Sequence, residues 1–372
     1  MSRFAVSLLI VCVAIHTDGR IVWSAEKPLD AAGFIARAKE PPKEPRSRST
    51  VRQSLRWLAR HQHPDGGWSF ASATAGFAKP GTAPSRVEAT SLAMLTLLGS
   101  GNTHQKGRDD LHLATEKGLA FLGRQMKLDG KAVDARGPHG DINAHAFSTL
   151  VLCQLYLNSE DADLKAVSAG CVQFLLQQQD PKTGGWPRKP GERPTLATHV
   201  WTVLALQCGQ WAKLADADKA REHAEAFLAA QRFQGGAYYA DAKGKKSALA
   251  TAQALVCQAA LGKLVKGQLG VAGVEYLAGK DRPQHDAEYD FLVTLLLFHQ
   301  SSDAWRKWNE LQLKQVIGSQ QKTGLQSGSW YDVQERQAKQ RGQLYQTTMR
   351  VLCLEVYYRW MPIHGFRFKK WD

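Results

Sequence analysis

The chain has 372 residues, 44% of them hydrophobic and 22% charged, which is ordinary for a globular protein and excludes a disordered or fibrous chain. The formal net charge of +14 raises the question of an anionic partner. The basic residues are dispersed, without an arginine-rich helix or an aromatic RNA-binding motif. We therefore expect a solvated basic surface and no nucleic acid partner.

The first 25 residues have the layout of a secretory signal peptide. Arg3 precedes an apolar run from Phe4 to Ile15, and the small residues Ser24 and Ala25 follow. The run is short for a transmembrane helix, and an uncleaved membrane anchor is the alternative. The sequence thus predicts an exported protein of the periplasm or the cell envelope.

The next segment, residues 26–48, contains AKEPPKEPRSR and is rich in proline and charge. Such a stretch buries too little apolar area to order itself, so it predicts a linker. The folded domain is expected to cover residues 49–366, and residues 367–372 form a basic tail.

Internal repetition organises this domain. FLLQQQDPKTGGW at 174–186 has a near copy, WLARHQHPDGGW, at 57–68, and each copy joins an amphipathic helix to an apolar one. The amphipathic helices are predicted to lie outside, at 49–62, 114–125, 165–179, 219–231, 269–279 and 305–320. The apolar helices are predicted to lie inside, at 87–99, 142–156, 195–209, 247–261, 287–299 and 344–358. Six such pairs predict an all-α (α/α)6 toroid.

The repeated phrase has a structural explanation of its own. Glycine allows the backbone angles that end a helix, and glutamine can bond the carbonyls left free there. A tryptophan at the end of the phrase would fill the gap between neighbouring hairpins. We therefore expect Trp68, Trp186 and Trp330 to be structural rather than to bind a ligand.

Cysteine usage predicts neither a disulfide framework nor a zinc site. Cys12 lies in the signal segment, and the other five occur in apolar helical stretches without CxxC spacing, at 153, 171, 208, 257 and 353. Buried small hydrophobic residues are the interpretation that fits this pattern.

The repeat also resembles a known family pattern. Lys117-Gly118-Leu119-Ala120-Phe121-Leu122 with Gln125, and the two Gln…Gly-Gly-Trp phrases ending at Trp68 and Trp186, resemble the QW repeat of squalene–hopene and oxidosqualene cyclases. Protein prenyltransferase β subunits share it in looser form. GSW at 328–330 and CLEVYYRWMPIHGF at 353–366 look like the exported prenyltransferase/squalene-oxidase-repeat proteins of planctomycete-type bacteria. This resemblance covers residue 49 to about 366 and implies a toroid whose cavity accepts an isoprenoid.

The acidic motif of the cyclases is missing. Class II triterpene cyclases carry DxDD at the start of an inner helix, whereas here the fifth inner helix begins with Asp286, Glu288 and Asp290 at alternate positions. These three are the acid candidates for any catalysis. The alternative is that they complement the helix dipole, as acids in a first turn commonly do.

Alignment of the inner helices places one polar column at the mouth of the toroid: Thr90, His145, His199, Thr251, Asp290 and Thr348. We expect this column to face the axis and to contact a ligand. The alternative for the two histidines is that they are hydrogen-bonded at the caps of their helices. The residues four positions further along would then face the axis as well, and none is aromatic: Met94, Thr149, Val203, Leu255, Thr294 and Leu352. Because carbocation cyclisation needs aromatic faces, this register argues against cyclase chemistry. A shift of one residue would admit Phe147 and Trp201.

The same column does not predict a metal site. His145 and His199 lie on neighbouring hairpins, but Asp290 faces them across a ring whose opposite helix axes are roughly 16–20 Å apart. Metal ligands lie about 2 Å from the ion, too close to bridge that gap. We therefore expect neither a metal nor another cofactor.

Three functions are compatible with these features. The first is an exported protein that binds an isoprenoid or another lipid-like ligand in the central cavity and has no classical active site. The second is a diverged enzyme acting on an isoprenoid or a glycan, with Asp286, Glu288 and Asp290 as acids and His145 or His199 as base. The third is a cell-envelope interaction module whose cavity is filled by its own side chains.

Overall fold

The computed structural model describes residues 45–71, 79–108, 110–262, 268–279, 282–300 and 303–356. The predicted signal peptide (1–25), most of the predicted linker (26–48) and the basic tail (367–372) lie outside these residues, so those assignments stay predictions. The first helix begins at Pro45, inside the last residues assigned to the linker.

Twelve α-helices make up most of the described residues. In chain order they are α1 (Pro45–Arg60), α2 (Arg86–Gly99), α3 (Leu111–Gln125), α4 (Ile142–Ser159), α5 (Asp163–Gln177), α6 (Leu196–Trp211), α7 (Asp218–Ala230), α8 (Ala248–Ala260), α9 (Gln268–Ala278), α10 (Ala287–Gln300), α11 (Asp303–Ser319) and α12 (Ala338–Glu355). Two short antiparallel pairs accompany them, β1 (Lys127–Asp129) with β2 (Ala132–Asp134) and β3 (Tyr239–Ala240) with β4 (Lys246–Ser247).

The even-numbered helices form a closed inner ring. Each packs against the next even-numbered helix along the chain, and α12 returns to pack against α2. The odd-numbered helices lie outside this ring and pack against its members. This arrangement confirms the all-α (α/α)6 toroid predicted from the repeats.

Burial explains why the two kinds of helix differ in composition. In α2 every residue from Val87 to Gly99 is buried, because the helix has neighbours on all sides. In α3 the buried positions recur every three or four residues and mark a single face: Leu111, Ala114, Thr115, Gly118, Phe121 and Leu122. The amphipathic pattern therefore identifies the outer ring, and the apolar pattern identifies the inner ring.

The repeated Gln…Gly-Gly-Trp phrase joins successive hairpins. Its glutamine Nε2 donates to a carbonyl of the next outer helix: Gln62 to Ala114 (2.9 Å), Gln179 to Ala220 (2.8 Å) and Gln320 to Thr50 (2.9 Å). Because Thr50 belongs to α1, the last of these bonds connects the sixth hairpin to the first and closes the toroid.

The tryptophan and the glycine of the phrase complete this junction. The indole Nε1 donates to a carbonyl of the preceding outer helix: Trp68 to Leu58 (2.9 Å), Trp186 to Leu175 (2.8 Å) and Trp330 to Val316 (2.7 Å). Gly184 has a φ of +76°, and a Cβ there would lie 2.0 Å from the His223 carbonyl oxygen of α7. The phrase thus has the structural role expected from the sequence.

The start of α12 contains a break that positions the side chain of Arg341. Gly342 has a φ of +57°, so the chain turns sharply between Arg341 and the regular part of the helix. The backbone N–H groups of Thr82 and Ala83 donate to the carbonyl of Gln340 at 2.8 and 2.7 Å. This contact between the first and last hairpins holds Arg341 at the mouth of the toroid.

The five cysteines of the described residues are buried and free, in agreement with their predicted role as small hydrophobic residues. Within the same part of the chain, no helix combines the length and the apolarity needed to cross a membrane.

Candidate functional site

Charged and polar side chains converge on the axis at the end of the toroid where the inner helices begin. We call this group the axial cluster: Glu88, Trp201, Gln253, Asp286, Glu288, Arg336, Arg341 and Tyr345. They come from α2, α6, α8, α10 and α12, from the residue that precedes α10 and from the segment just before α12. Six-fold repetition brings them together because each inner helix has its N-terminus at this end.

Glu288 lies at the centre of the axial cluster, because four donors from other parts of the chain reach its carboxylate. Trp201 Nε1 and Gln253 Nε2 each lie 3.3 Å from Oε1. Arg336 Nη2 lies 2.6 Å from Oε2, and the Tyr345 hydroxyl lies 3.5 Å from the same atom. The carboxylate is therefore held by four donors in a site where only 6% of the residue is exposed.

Arg336 connects Glu288 to Asp286. Its Nε donates to Asp286 Oδ2 at 2.7 Å, and its Nη2 lies 3.3 Å from Oδ1. Asp286 Oδ1 also accepts the backbone N–H of Tyr289 at 3.1 Å, which is how an acid caps a helix. Asp286 thus has a structural role in α10 and also anchors the guanidinium that covers Glu288.

Asp290, the third acid of this helix, points elsewhere. Its carboxylate pairs with Arg350 of α12 and accepts a hydrogen bond from Gln312 Nε2 of α11 at 3.0 Å. Two of the three acids predicted as a group, Asp286 and Glu288, therefore share the axial cluster, whereas Asp290 lies between the inner and outer rings.

Another buried carboxyl of the cluster, that of Glu88, comes from α2 on the first hairpin. Its Oε1 lies 2.6 Å from Arg341 Nη2, and the Arg341 guanidinium lies 5.1 Å from the centroid of the Tyr345 ring. Burial raises the pKa of Glu88, and the nearby charge of Asp141 raises it further, while Arg341 acts in the opposite direction. Glu88 therefore favours its protonated form more than an ordinary glutamate does.

Glu335, an acid just before α12, contacts the first residue of α10. Its Oε2 accepts the N–H of Gln337 at 2.7 Å, and its Oε1 lies 3.4 Å from the N–H of Ala287. Burial raises the pKa of Glu335 to about 7, although the hydrogen bond from Gln337 lowers it; the charge of Asp286 raises it as well. Glu335 is thus a buried acid that titrates near neutral pH.

Aromatic rings fill the axis one helical turn below the carboxylates. The rings of Phe147 and Trp201 have centroids 4.6 Å apart, and Trp201 is stacked on Phe291 at 6.0 Å with an interplanar angle of 1°. The expectation that no aromatic residue faces the axis was therefore wrong. Phe147 and Trp201 face it, and each lies two positions beyond the histidine of its helix, so the register differs by two residues and not by one. The polar column had been aligned with the wrong side of the inner helices.

The polar column faces the loops between hairpins. Thr90 Oγ1 accepts the backbone N–H of Trp68 at 2.9 Å, and the equivalent acceptors are His145 Nδ1 for Ala135 and Thr251 Oγ1 for Tyr239, both at 3.0 Å. In the sixth hairpin Thr347 takes this position, while Thr348 donates to the Tyr345 carbonyl of its own helix. Thr90, His145 and Thr251 thus bind loop backbone, so they do not line the axis as expected.

The two histidines of the column lie between the rings of helices. His145 Nε2 donates to the Cys171 carbonyl at 2.9 Å, and its ring lies 4.5 Å from that of Phe174 in α5. The ring of His199 lies 4.5 Å from that of Phe227 in α7. Burial lowers the pKa of His145 to about 4 and that of His199 to about 3, so both are neutral at ordinary pH. Neither is placed to act as a base beside Glu288.

His145, His199 and Asp290 also do not come together as metal ligands. Among the residues that the structure describes, no group of three or more His, Cys, Asp or Glu side chains has an arrangement that could hold a metal ion.

An open pocket of about 1030 Å³ leads sideways from the axial cluster. Its inner end is formed by Gln253 and Arg336, both of which bind Glu288. It runs outward between the loop that precedes α6 and the β3–β4 turn, over the surface of α7. We call it the lateral pocket, and its volume is in the range of small-molecule sites.

Sequence reasoning missed Glu88, Arg336 and Arg341. A signal for Glu88 was available, because it precedes Thr90 by two residues just as Glu288 precedes Asp290. The two arginines carried no such signal, since their position depends on how the segment before α12 folds back over the axis.

Several solved structures share this fold. A cellobiose 2-epimerase from Bacillus thermoamylovorans is 11% identical with a TM-score of 0.60, and the match covers 88% of this chain and 100% of the epimerase. A family 76 glycoside hydrolase (mannosidase) from Bacteroides thetaiotaomicron is 12% identical with a TM-score of 0.59, covering 88% and 98% of the two chains. An inactive α-1,6-mannanase variant from a Salegentibacter species, solved with α-1,6-mannotriose, is 9% identical with a TM-score of 0.56, covering 83% and 98%. At such identities these matches show the fold alone.

The sequence comparisons found no relatives. No family model matches the chain, and no curated protein matches it either.

These findings overturn the resemblance to QW-repeat squalene cyclases and prenyltransferases, and with it the isoprenoid-binding function. The similar structures are toroids named for carbohydrate reactions, and no family model supports the cyclase assignment. The physical reason for the error is that the Gln…Gly-Gly-Trp phrase connects one helical hairpin to the next. The phrase therefore indicates that the chain forms a toroid and does not indicate which ligand the toroid binds.

Proposed function

We propose that this protein is an enzyme acting on a glycan, with its reaction centre at Glu88 and Glu288 in the axial cluster. The observation that carries the proposal is the pairing of two different carboxyl environments at one end of the axis. Burial raises the pKa of Glu88, while the Glu288 carboxylate is held by four donors. Glycosidic bond cleavage commonly uses one carboxylic acid as proton donor and a second carboxylate on the other side of the sugar.

The roles follow from these environments. Glu88 is the general acid, because a raised pKa keeps a proton available for the departing sugar oxygen. Glu288 is the carboxylate that stabilises or attacks the anomeric carbon. Asp286 is a positioning residue, since it acts through Arg336.

The lateral pocket supplies the route for the substrate. A sugar entering it meets Gln253 and Arg336 first, with Glu288 directly behind them. Arg336 is 38% exposed, so its guanidinium can exchange its bond to Glu288 for one to the substrate while Asp286 still anchors it. The solved toroids named for cellobiose and mannan reactions support a carbohydrate as the substrate class.

The test is turnover of an oligosaccharide panel that includes cellobiose and α-1,6-mannotriose, with products separated by chromatography and identified by mass and by sugar composition. Separation by composition as well as mass distinguishes hydrolysis from epimerisation. We expect turnover of at least one glycan, and a reduction of about 10²–10⁴-fold in Glu88→Gln and Glu288→Gln.

Glu355→Gln is the matched control. Glu355 is also a buried glutamate whose pKa is raised well above its usual range by burial, but it bonds Ser100 at the opposite end of the inner ring. It lies ten residues beyond Tyr345 in α12, or about 15 Å along the helix. Its variant should keep full turnover. Failure of the folded protein to turn over any glycan, or equal activity of all variants, would overturn the proposal.

A further inference from the structure

The lateral pocket carries an imbalance of charge. Four cationic side chains line it, and the only acid among its lining residues is Asp241. The cations are Lys182, Arg193, Arg232 and Arg336. Like charges that share a concave surface repel one another and attract an anion.

Two of these cations already have partners. Arg336 is paired with Asp286 and Glu288. Arg232 donates from Nη1 to the Gly236 carbonyl at 3.0 Å, and its guanidinium lies 5.5 Å from the centroid of the Tyr239 ring. Asp241 offers little compensation, because its Oδ1 accepts the backbone N–H groups of Lys243 and Lys245 within its own turn.

Lys182 and Arg193 are different. Both are exposed, and among the described residues neither side chain forms a close ion pair, although the backbone N–H of Lys182 and then its charge act on Asp180 in the same loop and lower its pKa. Both belong to the loop between α5 and α6, which is anchored at one end by the bond from Gln179 to Gly184 and at the other by the cap of α6 at Thr195. An anchored loop thus presents two exposed cations to the pocket, of which Lys182 is partly compensated by Asp180.

We propose that the lateral pocket binds an anionic group of the glycan, a carboxylate or a sulfate ester, and that the substrate is an acidic oligosaccharide. This inference rests on the proposed function for the identity of the ligand as a carbohydrate. The anionic group lies between Lys182 and Arg193, and the adjoining sugar extends toward Gln253 and Arg336 at the inner end. A neutral glycan of the same shape offers neither cation a charged group and binds less tightly.

The experiment is calorimetric titration of the Glu288→Gln variant, in which the substitution prevents turnover. The probes are a galacturonic acid trimer, a galactose trimer of the same linkage and a sulfated galactose trimer. We expect an acidic trimer to bind about tenfold more tightly than the neutral one, since a charge-assisted hydrogen bond contributes about 1.5–3 kcal/mol. This preference should decline as salt concentration rises.

Variants assign the preference to the pocket. Lys182→Gln combined with Arg193→Gln should lower the affinity for the acidic trimers to that of the neutral trimer and leave the neutral trimer unaffected. The control is Lys165→Gln combined with Lys219→Gln, which removes two exposed cations near the starts of α5 and α7, at the opposite end of the toroid. The control should bind like the parent protein.

The outcomes separate this inference from the proposed function. Equal affinity for acidic and neutral trimers, or no binding of any of them, overturns the anionic subsite even if the wild-type protein turns over a neutral glycan. A preference for acidic trimers that disappears in the pocket variant supports the subsite even if the wild-type protein turns over no glycan. Preference for the uronate alone, or for the sulfated trimer alone, identifies which anionic group the pocket takes.

Discussion

The indole Nε1 of Trp201 donates to Oε1 of Glu288 across the axis of the toroid, at 3.3 Å. Their helices, α6 and α10, are not neighbours in the inner ring, because α8 separates them. A bond between them therefore shows which faces of both helices meet at the axis. It also connects the carboxylate to the aromatic stack below it, since Trp201 lies against Phe147 and Phe291.

Replacing this indole tests its role in orienting Glu288. Trp201→Phe keeps an aromatic ring but removes the N–H, so one of four donors to the carboxylate is lost. We expect turnover to fall about tenfold with an unchanged fold, because a charge-assisted hydrogen bond is worth about 1.5–3 kcal/mol. The measurement is kcat/KM on the best panel glycan, alongside circular dichroism.

Trp211→Phe serves as its control, since Trp211 is the last residue of the same helix, at the end remote from the axial cluster. Equal losses of turnover in the two variants would show that Trp201 contributes only to packing.

Glu335 predicts a pH dependence of stability. Its folded-state pKa of about 7 lies above the ordinary value of 4.5, so the stabilisation is fully present below pH 4.5 and is lost as the pH rises toward 7. Glu335→Gln mimics the protonated form and removes this contribution. Between about pH 4.5 and pH 7.5 the free energy of unfolding of the wild type should fall relative to the variant by about 3 kcal/mol.

Urea unfolding of both proteins across this range measures the difference directly. Contributions from groups present in both proteins cancel, including those of Asp286 and Arg336, whose charges act on Glu335. A constant difference between the two stability curves would contradict the prediction.

The lowered pKa of His199 predicts a pH dependence of stability with the opposite sign. Its pKa is lowered to about 3 by burial, so the unfolded chain takes up a proton below the ordinary value of 6.5 while the folded protein does not. The stability that depends on neutral His199 is present above pH 6.5 and is lost as the pH falls toward 3. His199→Leu should therefore gain about 3 kcal/mol relative to the wild type between about pH 7.5 and pH 4.5.

The same variant tests the expectation that His199 contacts a ligand. Because the ring packs against Phe227 in the outer ring, glycan affinity should not change in His199→Leu at neutral pH. A loss of affinity in the folded variant would instead support the ligand contact predicted from the sequence.

Two glycines with opposite expectations test the junction between hairpins. Gly184→Ala should destabilise the protein by at least about 2 kcal/mol. Residue 184 has left-handed backbone angles that disfavour a side chain, and the added Cβ would collide with the His223 carbonyl oxygen. Gly123→Ala should stabilise it by about 0.5–1 kcal/mol, because Gly123 lies in α3 with open space around the added atom. Urea midpoints compare both variants with the wild type, and a shift in the same direction for both would contradict the structural role of the phrase.

Much of the fold could be predicted from the sequence, because the repeat marks the junctions between helical hairpins. The phrases ending at Trp68 and Trp186 recur with an amphipathic helix before them and an apolar helix after them, which predicts the alternation of outer and inner rings. The acids Asp286 and Glu288 were also recognised, since their position at the start of an inner helix puts them at the mouth of any toroid.

The composition of the axial cluster was decided by the tertiary structure alone. An inner helix is buried on every side, so its hydrophobic pattern does not indicate which face meets the axis. That is why the sequence assigned Thr90 and His145 to the axis, whereas Glu88, Trp201 and Glu288 occupy it. Arg336 and Arg341 reach the cluster from a segment folded by the turn at Gly342 and by contacts with the first hairpin. The positions of these two arginines depend on closure of the ring, and no local sequence pattern predicts that closure.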